Sequence, residues 1–335
     1  MFVGHALLAF ALTVLVAQWR DWPAERALAA GIGVGAFAAL PDIDVVYALV
    51  AVDPTALFAG FTIQPGAFWD GANQAHRGAT HSLVVSAFAG AAFGLWALGV
   101  ADDGTIGASR REQAAGTAAV TVLVTLVATS TAISGFVGGF VMIAFVLVGV
   151  GLATLARSRL ALSPRVIGVG AVAGLASHPF GDVATGSPPP LLYPFDGAVL
   201  TERVLFSSDP TLHLLGVFGL ELAVVALAVA VIARAYGFNV TTLVDRRAML
   251  GALYGVGAVM MAPPTIDVSY HFVFSVLAVG AVVGSSHSLG WERYTPRNVS
   301  RRLAGDVEAA LTTIATALAA VAVAVVSYGV VYLLL

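Results

Sequence analysis

Four short segments place ionisable side chains in or beside otherwise apolar sequence. They are Gly4-His5, Pro41-Asp42-Ile43-Asp44, His76-Arg77-Gly78-Ala79-Thr80-His81-Ser82 and His178-Pro179-Phe180-Gly181-Asp182. Charged and polar groups are costly at lipid depth and tend to be kept there for function. The chain contains no Cys, which excludes disulfides, thiolate ligands and Cys nucleophiles, so any metal must rest on imidazole and carboxylate.

His178 and Asp182 are four residues apart. On a helix they project from one face, the spacing that lets an imidazole and a carboxylate bind one ion; the plainer alternative is a hydrogen-bonded pair at a helix end. Pro179 implies a first helical turn or a break at this point. Pro41 interrupts a long apolar stretch, so Asp42 and Asp44 are expected on a broken or unwound segment. Two like charges so close together repel and are poorly solvated, and a cation beside them removes that cost; an interfacial turn with both carboxylates in water is the alternative.

His76 and His81 are five apart, about 140° around a helix, and cannot share one helical face. Gly78 argues for a turn and Thr80 for the cap of a helix starting near His81. The two imidazoles could then reach different ions or opposite sides of one. Arg77 is suited to holding a substrate phosphate or orienting a carboxylate, or simply to pairing with Asp70. His5 taken alone reads as a satisfied polar residue near a helix start, and His213, His271 and His287 as packing or interface residues. Glu221, midway along an apolar run, is a secondary candidate because a carboxylate at that depth needs a partner or a proton.

The elements that carry these residues are membrane spans. With 335 residues, 59% of them hydrophobic and 10% charged, and a mean hydropathy of +0.92, the chain cannot hide its apolar surface inside a water-soluble globule. The expected architecture is an all-α, polytopic transmembrane helical bundle of about ten spans, near 1–19, 26–45, 80–101, 113–134, 135–156, 165–182, 209–234, 247–263, 268–289 and 308–335. The pair 113–156 is split at Ser134-Gly135, where glycine is the natural turn residue. The first apolar run is followed by Arg20 instead of being preceded by a basic residue, the reverse of a secretory leader, and reads as a retained span.

All 16 basic residues are Arg and the formal net charge is −3, so no basic stripe for nucleic acid is visible. If the spans alternate, fourteen Arg fall on one side and only Arg77 and Arg203 on the other. The positive-inside rule makes the Arg-rich side cytoplasmic, with both termini outside at the plasma membrane. All four chemistry-bearing segments then arrive together at the extracytoplasmic face.

An early His, then Pro-Asp-Ile-Asp, then His-Arg-Gly-x-Thr-His-Ser, then His-x-x-x-Asp, over approximately residues 1–195, resembles a family of membrane-bound metal-dependent hydrolases described as LexA-binding and inner-membrane-associated. That family looks distantly similar to zinc-dependent phospholipases C and single-strand nucleases. The resemblance implies His5, Asp42, His76, His81, His178 and Asp182 as metal ligands, with Asp44 as a further ligand or the catalytic base. It implies a divalent metal, with zinc the expected ion, and makes residues 1–195 a metal-site hydrolase domain and 196–335 additional helices of unassigned role.

Metal-activated water would then attack the ester of a phospholipid, polyprenyl phosphate or other amphiphilic phosphoester, with Arg77 steadying the developing charge. The substrate class rests on location alone. Two rivals have distinct signatures: an ion- or proton-coupled transporter would spread its ionisable groups through the membrane, and a non-catalytic, metal-stabilised membrane protein would bind metal without an open coordination position.

Overall fold

The computed structural model describes residues 2–52, 71, 76–195, 197–285 and 299–335. Asp70, the alternative partner expected for Arg77, and His287 lie outside the described residues. The protein is all-α: among the described residues the only extended pairing is an isolated bridge between Val100 and Ile106. It divides into two compact units, Met1–Val204 and Leu205–Leu335.

The first unit contains α1 (Phe2–Trp19), α2 (Ala24–Ala39), α3 (Leu83–Gly99), α4 (Arg110–Ser158) and α5 (Pro164–Asp182). Sequence sets the helix starts. Ser109 and Glu112 form a reciprocal capping box at α4, and Ser163 caps α5 with Pro164 in its first turn, so N–H groups that lack helical partners are satisfied.

The 49-residue α4 is a hairpin of two helices, with Gly135 at φ 61°, ψ −148° at its tip. Ser130 Oγ donates to the carbonyl of Gly138 at 3.0 Å, a distance that only a reversed chain allows, because eight helical residues would span about 12 Å. The expected split at Ser134-Gly135 is therefore present, at the backbone conformation that glycine best supports.

The helices of this unit approach closely through small residues, as expected where lipid gives apolar burial little reward. A Cβ on Gly94 of α3 would lie 2.7 Å from the Cα of Gly168 in α5. Larger residues fill the remaining core, with Phe37, Phe93, Phe145, Leu123 and Leu175 almost wholly buried. After α2 the chain tightens into a 3₁₀ helix, Leu40–Tyr47, with Pro41 in its first turn, so the α-helix is broken where Pro41 predicted, by tighter winding and not by unwinding. In α5, by contrast, Pro179 lies inside the helix near its end without ending it; the expected break does not occur, and the missing N–H costs only one bond within the final turn.

The second unit contains α6 (Pro210–Ala235), α7 (Tyr270–Ser285) and α8 (Val299–Leu334). Asp209 caps α6 and also accepts a hydrogen bond from the Tyr332 hydroxyl at 2.9 Å. The span expected over 247–263 is not a regular α-helix. It is a 3₁₀ helix, Arg246–Val256, followed by one α-turn, Gly257–Met260. The longer 3₁₀ rise of about 2 Å per residue lets this short segment cover about 28 Å in all.

Among the described residues, four stretches are long and apolar enough to cross a membrane as helices: Ala24–Ala51, Arg110–Ser158, Pro210–Ala235 and Asp306–Leu334. Val3–Trp19, Leu83–Gly99 and Tyr270–Ser285 are shorter apolar helices.

Candidate metal centre

The start of α1, the 3₁₀ helix after α2, the turn before α3 and the end of α5 meet at one end of the first unit. The opposite ends of these helices and of the α4 hairpin carry Arg20, Arg26, Arg110, Arg111, Arg157 and Arg165. The four chemistry-bearing segments are thus separated in space from these six arginines, and Arg77 alone of the named arginines sits among them.

The hydrogen bonds assign the protons. His178 Nδ1 lies 2.6 Å from the carbonyl oxygen of Ala38, which can only accept, so Nδ1 carries the hydrogen and Nε2 is the basic nitrogen. The Thr80 hydroxyl donates to Asp44 Oδ2 at 3.2 Å and lies 3.0 Å from His81 Nδ1. Its hydrogen being committed, it accepts from His81 Nδ1, and Nε2 of His81 is basic as well. The two basic nitrogens face one another at 3.0 Å.

Two carboxylates close this arrangement. Asp182 Oδ2 lies 3.3 Å from His81 Nε2 and 3.9 Å from His178 Nε2. Asp42 Oδ1 lies 3.4 Å from His178 Nε2 and 3.9 Å from His81 Nε2. Ligand atoms at 2.0–2.2 Å from a tetrahedral ion stand about 3.3–3.6 Å apart, so these separations need only small adjustments to surround one ion. His5 extends the cluster, with Nε2 3.3 Å from Asp182 Oδ1 and its ring 4.2 Å from that of His178. His76 extends it on the other side, its ring 5.3 Å from that of His81.

Possible ligand atoms of Asp42, His76, His81 and Asp182 all lie within 4.8 Å of one another, as do those of His5, Asp42 and His178. The six residues expected as ligands are therefore brought together. They fit a cation: Asp42 Oδ2 is buried without a hydrogen-bond partner, a state that is expensive unless an ion supplies the missing interaction, and His5 Nε2 and Asp182 Oδ2 have only ion-pair contacts at 3.3 Å or longer. With neutral imidazoles, the carboxylates of Asp42, Asp44 and Asp182 outnumber the single guanidinium of Arg77 by two charges, which a divalent ion would neutralise.

Asp44 stands apart from this set. Its side chain is fully buried and accepts from His76 Nδ1 at 2.9 Å, the Arg77 backbone N–H at 3.0 Å and Thr80 Oγ1 at 3.2 Å, with His81 Nδ1 3.4 Å away. Both oxygens are engaged on the rear of the imidazoles, the placement that fixes tautomer and ring direction.

Arg77 holds Asp182 through Nε at 3.3 Å and reaches Thr185 Oγ1 at 2.8 Å and the Ser187 carbonyl at 3.0 Å. Its backbone has a φ of 62°, which lets its N–H point to Asp44 while its side chain turns to Asp182. The cap of α3 is Ser82, whose Oγ accepts from Val84 and Val85 N–H. Thr80 is not the cap, because its hydroxyl is committed to Asp44 and His81.

Sequence reasoning missed Ala38 and Thr185. A backbone acceptor such as the Ala38 carbonyl leaves no trace in residue type; Thr185, three residues after Asp182, carried a weak local signal. Gly181 makes room for α1, since a Cβ there would collide with His5 Nδ1. His213 is buried in the second unit and accepts from the Phe206 N–H at 3.2 Å, and Glu221 is partly buried in α6.

The YdjM inner membrane protein family model matches residues 1–262. The chain belongs to the YdjM inner membrane protein family. The match extends beyond residue 195, where the sequence resemblance ended, and includes α6 and the 3₁₀ segment of the second unit. Neither the curated proteins nor the solved structures contain a match to this chain. Membership and the apolar helices together make this an inner membrane protein with a buried His and Asp cluster able to hold a metal ion.

Proposed function

We propose that this YdjM-family protein is a metal-dependent, zinc-favouring hydrolase that cleaves phosphoesters of lipids or other amphiphiles at the extracytoplasmic face. The observation that carries the reading is the opposition of His81 Nε2 and His178 Nε2 at 3.0 Å with Asp42 and Asp182 beside them. Two imidazole lone pairs directed at each other repel, and a cation turns that repulsion into two bonds. The nitrogen and oxygen donor set suits zinc, and the distant similarity to zinc phospholipases C and nucleases belongs to this same proposal.

A divalent ion bound there supplies a water of lowered pKa and polarises a phosphoryl oxygen. The protein's own groups have separable tasks. Ala38, Thr80 and Asp44 hold the imidazoles with Nε2 inward. Arg77 aligns Asp182 and contributes positive charge at the edge of the cluster. Asp44 is thereby assigned to orientation instead of proton transfer, because its oxygens already accept from several donors. The side chains of His81 and His178 are fully buried, whereas those of Asp42, His76 and Arg77 keep 12–13% exposure, so a substrate approaches from that side.

The crowding of ionisable groups at one end of the first unit favours this reading over a transport path, which would need them along the membrane depth. The test is metal analysis of the purified protein followed by a phosphoester screen before and after chelation. The expected result is bound divalent metal and an activity that chelation removes and zinc restores. Protein without divalent metal would overturn the proposal. Metal-loaded protein inert to every ester would leave a metal-stabilised membrane protein.

A further inference from the structure

At the Arg-bearing end of the first unit, away from the metal centre, an open groove of about 640 Å³ runs between α1, α2 and α5. Its walls include Leu12, Val16, Val34 and Val169, and Arg20 and Arg165 also line it. Arg165 and the lining residue Ala173 are eight residues apart on α5, so the groove follows the helix for about 12 Å into the apolar zone.

The two arginines differ from others nearby. Arg157 is paired with Asp102, and Arg26 lies over the Trp22 ring at 4.3 Å. Among the described residues, neither Arg20 nor Arg165 forms an ion pair with a carboxylate. Both are exposed, and Arg165 sits in the first turn of α5, where the helix dipole also favours an anion.

From this combination we propose that the groove binds one anionic phospholipid, with its phosphate on Arg20 and Arg165 and an acyl chain along the Leu12, Val34 and Val169 wall. Each part of the groove selects one part of the ligand. Guanidinium groups match phosphate oxygens, and an apolar channel opening to lipid takes a hydrocarbon chain. A free phosphate would make no use of the wall. A zwitterionic phospholipid carries its own cation, which offsets the attraction of two arginines; basic pockets between membrane helices characteristically select anionic headgroups. This site is independent of the metal centre and of any hydrolytic activity.

The test uses the full chain in neutral detergent, titrated with phosphatidylglycerol and with phosphatidylcholine, bound lipid being counted by native mass spectrometry. Phosphatidylglycerol should saturate one site, weaken with added salt, and bind about thirtyfold more weakly to the double variant Arg20→Gln, Arg165→Gln. Ala173→Trp, which obstructs the wall and leaves both arginines in place, should also weaken binding. This second variant, with the lipid comparison on wild type, keeps the test decisive if the double variant folds poorly. Equal binding of phosphatidylcholine, undiminished binding to both variants, or displacement by inorganic phosphate at the lipid's own concentration would each overturn the proposal.

Discussion

His81 Nε2 and His178 Nε2 stand 3.0 Å apart, each made basic by a hydrogen bond on the far side of its ring. Residues 97 positions apart in sequence are thus held as opposing ligands before any ion is considered. Removing either should abolish metal retention. His81→Ala and His178→Ala are expected to purify with less than about a tenth of the wild-type metal, because a ligand bond is lost outright. Full metal occupancy in both variants would disprove the centre.

Asp44 predicts a milder defect. Asp44→Asn preserves shape but replaces a carboxylate that orients His76 and His81 with a weaker acceptor. Metal affinity should fall about 10–100-fold, the usual consequence of losing such an outer partner, while Asp182→Asn should be more severe because that carboxylate is a ligand. Competition with a chromogenic chelator ranks the two, and the reverse order would show that Asp44 is the direct ligand.

Arg77 combines a side-chain task with an unusual backbone. Arg77→Ala should retain most metal and lower turnover against any phosphoester the wild type cleaves, since the guanidinium acts through charge and through Asp182. Arg77→Gly loses the same side chain but tolerates φ 62°, so it should be more stable than the Ala variant by about 1 kcal/mol. Thermal unfolding in detergent measures that difference, and equal stability would remove backbone strain from the account.

Gly135 should resist substitution more than another glycine of the same hairpin. Gly135→Ala puts a side chain at φ 61°, ψ −148° and should cost about 1–3 kcal/mol. Gly151 has open space at its Cβ position, and Gly151→Ala should be neutral or slightly stabilising. Comparable melting temperatures for the two variants would contradict the tight reversal.

The absence of native Cys makes orientation directly measurable. Ile106, between α3 and α4, and Phe136, at the hairpin tip, are both exposed and belong to opposite ends of the first unit. Ile106→Cys should be shielded from an impermeant thiol reagent in intact cells, and Phe136→Cys should be labelled. The converse pattern would invert the orientation drawn from the arginine distribution.

The sequence by itself determined the solvent, the helical class, the fold-back at Gly135 and the four segments that carry chemistry, because hydropathy, turn residues and ionisable groups in apolar surroundings are local signals. It did not separate Asp42 from Asp44, which looked like one repelling pair. Packing decides that: positions two apart on a helical turn point in different directions, and the neighbours each direction meets come from other segments. Asp42 therefore faces His178, and Asp44 meets the Nδ1 sides of His76 and His81. Nor could sequence choose the basic nitrogen of His178, which the Ala38 carbonyl fixes, or show that Thr80 serves the site while Ser82 caps the helix. Nor did it distinguish the 3₁₀ segment Arg246–Val256 from an ordinary span, since composition records apolarity and not rise per residue. Only tertiary structure settles such points, because they depend on contacts between backbone and side-chain atoms distant in the chain, and residue type encodes no such partner.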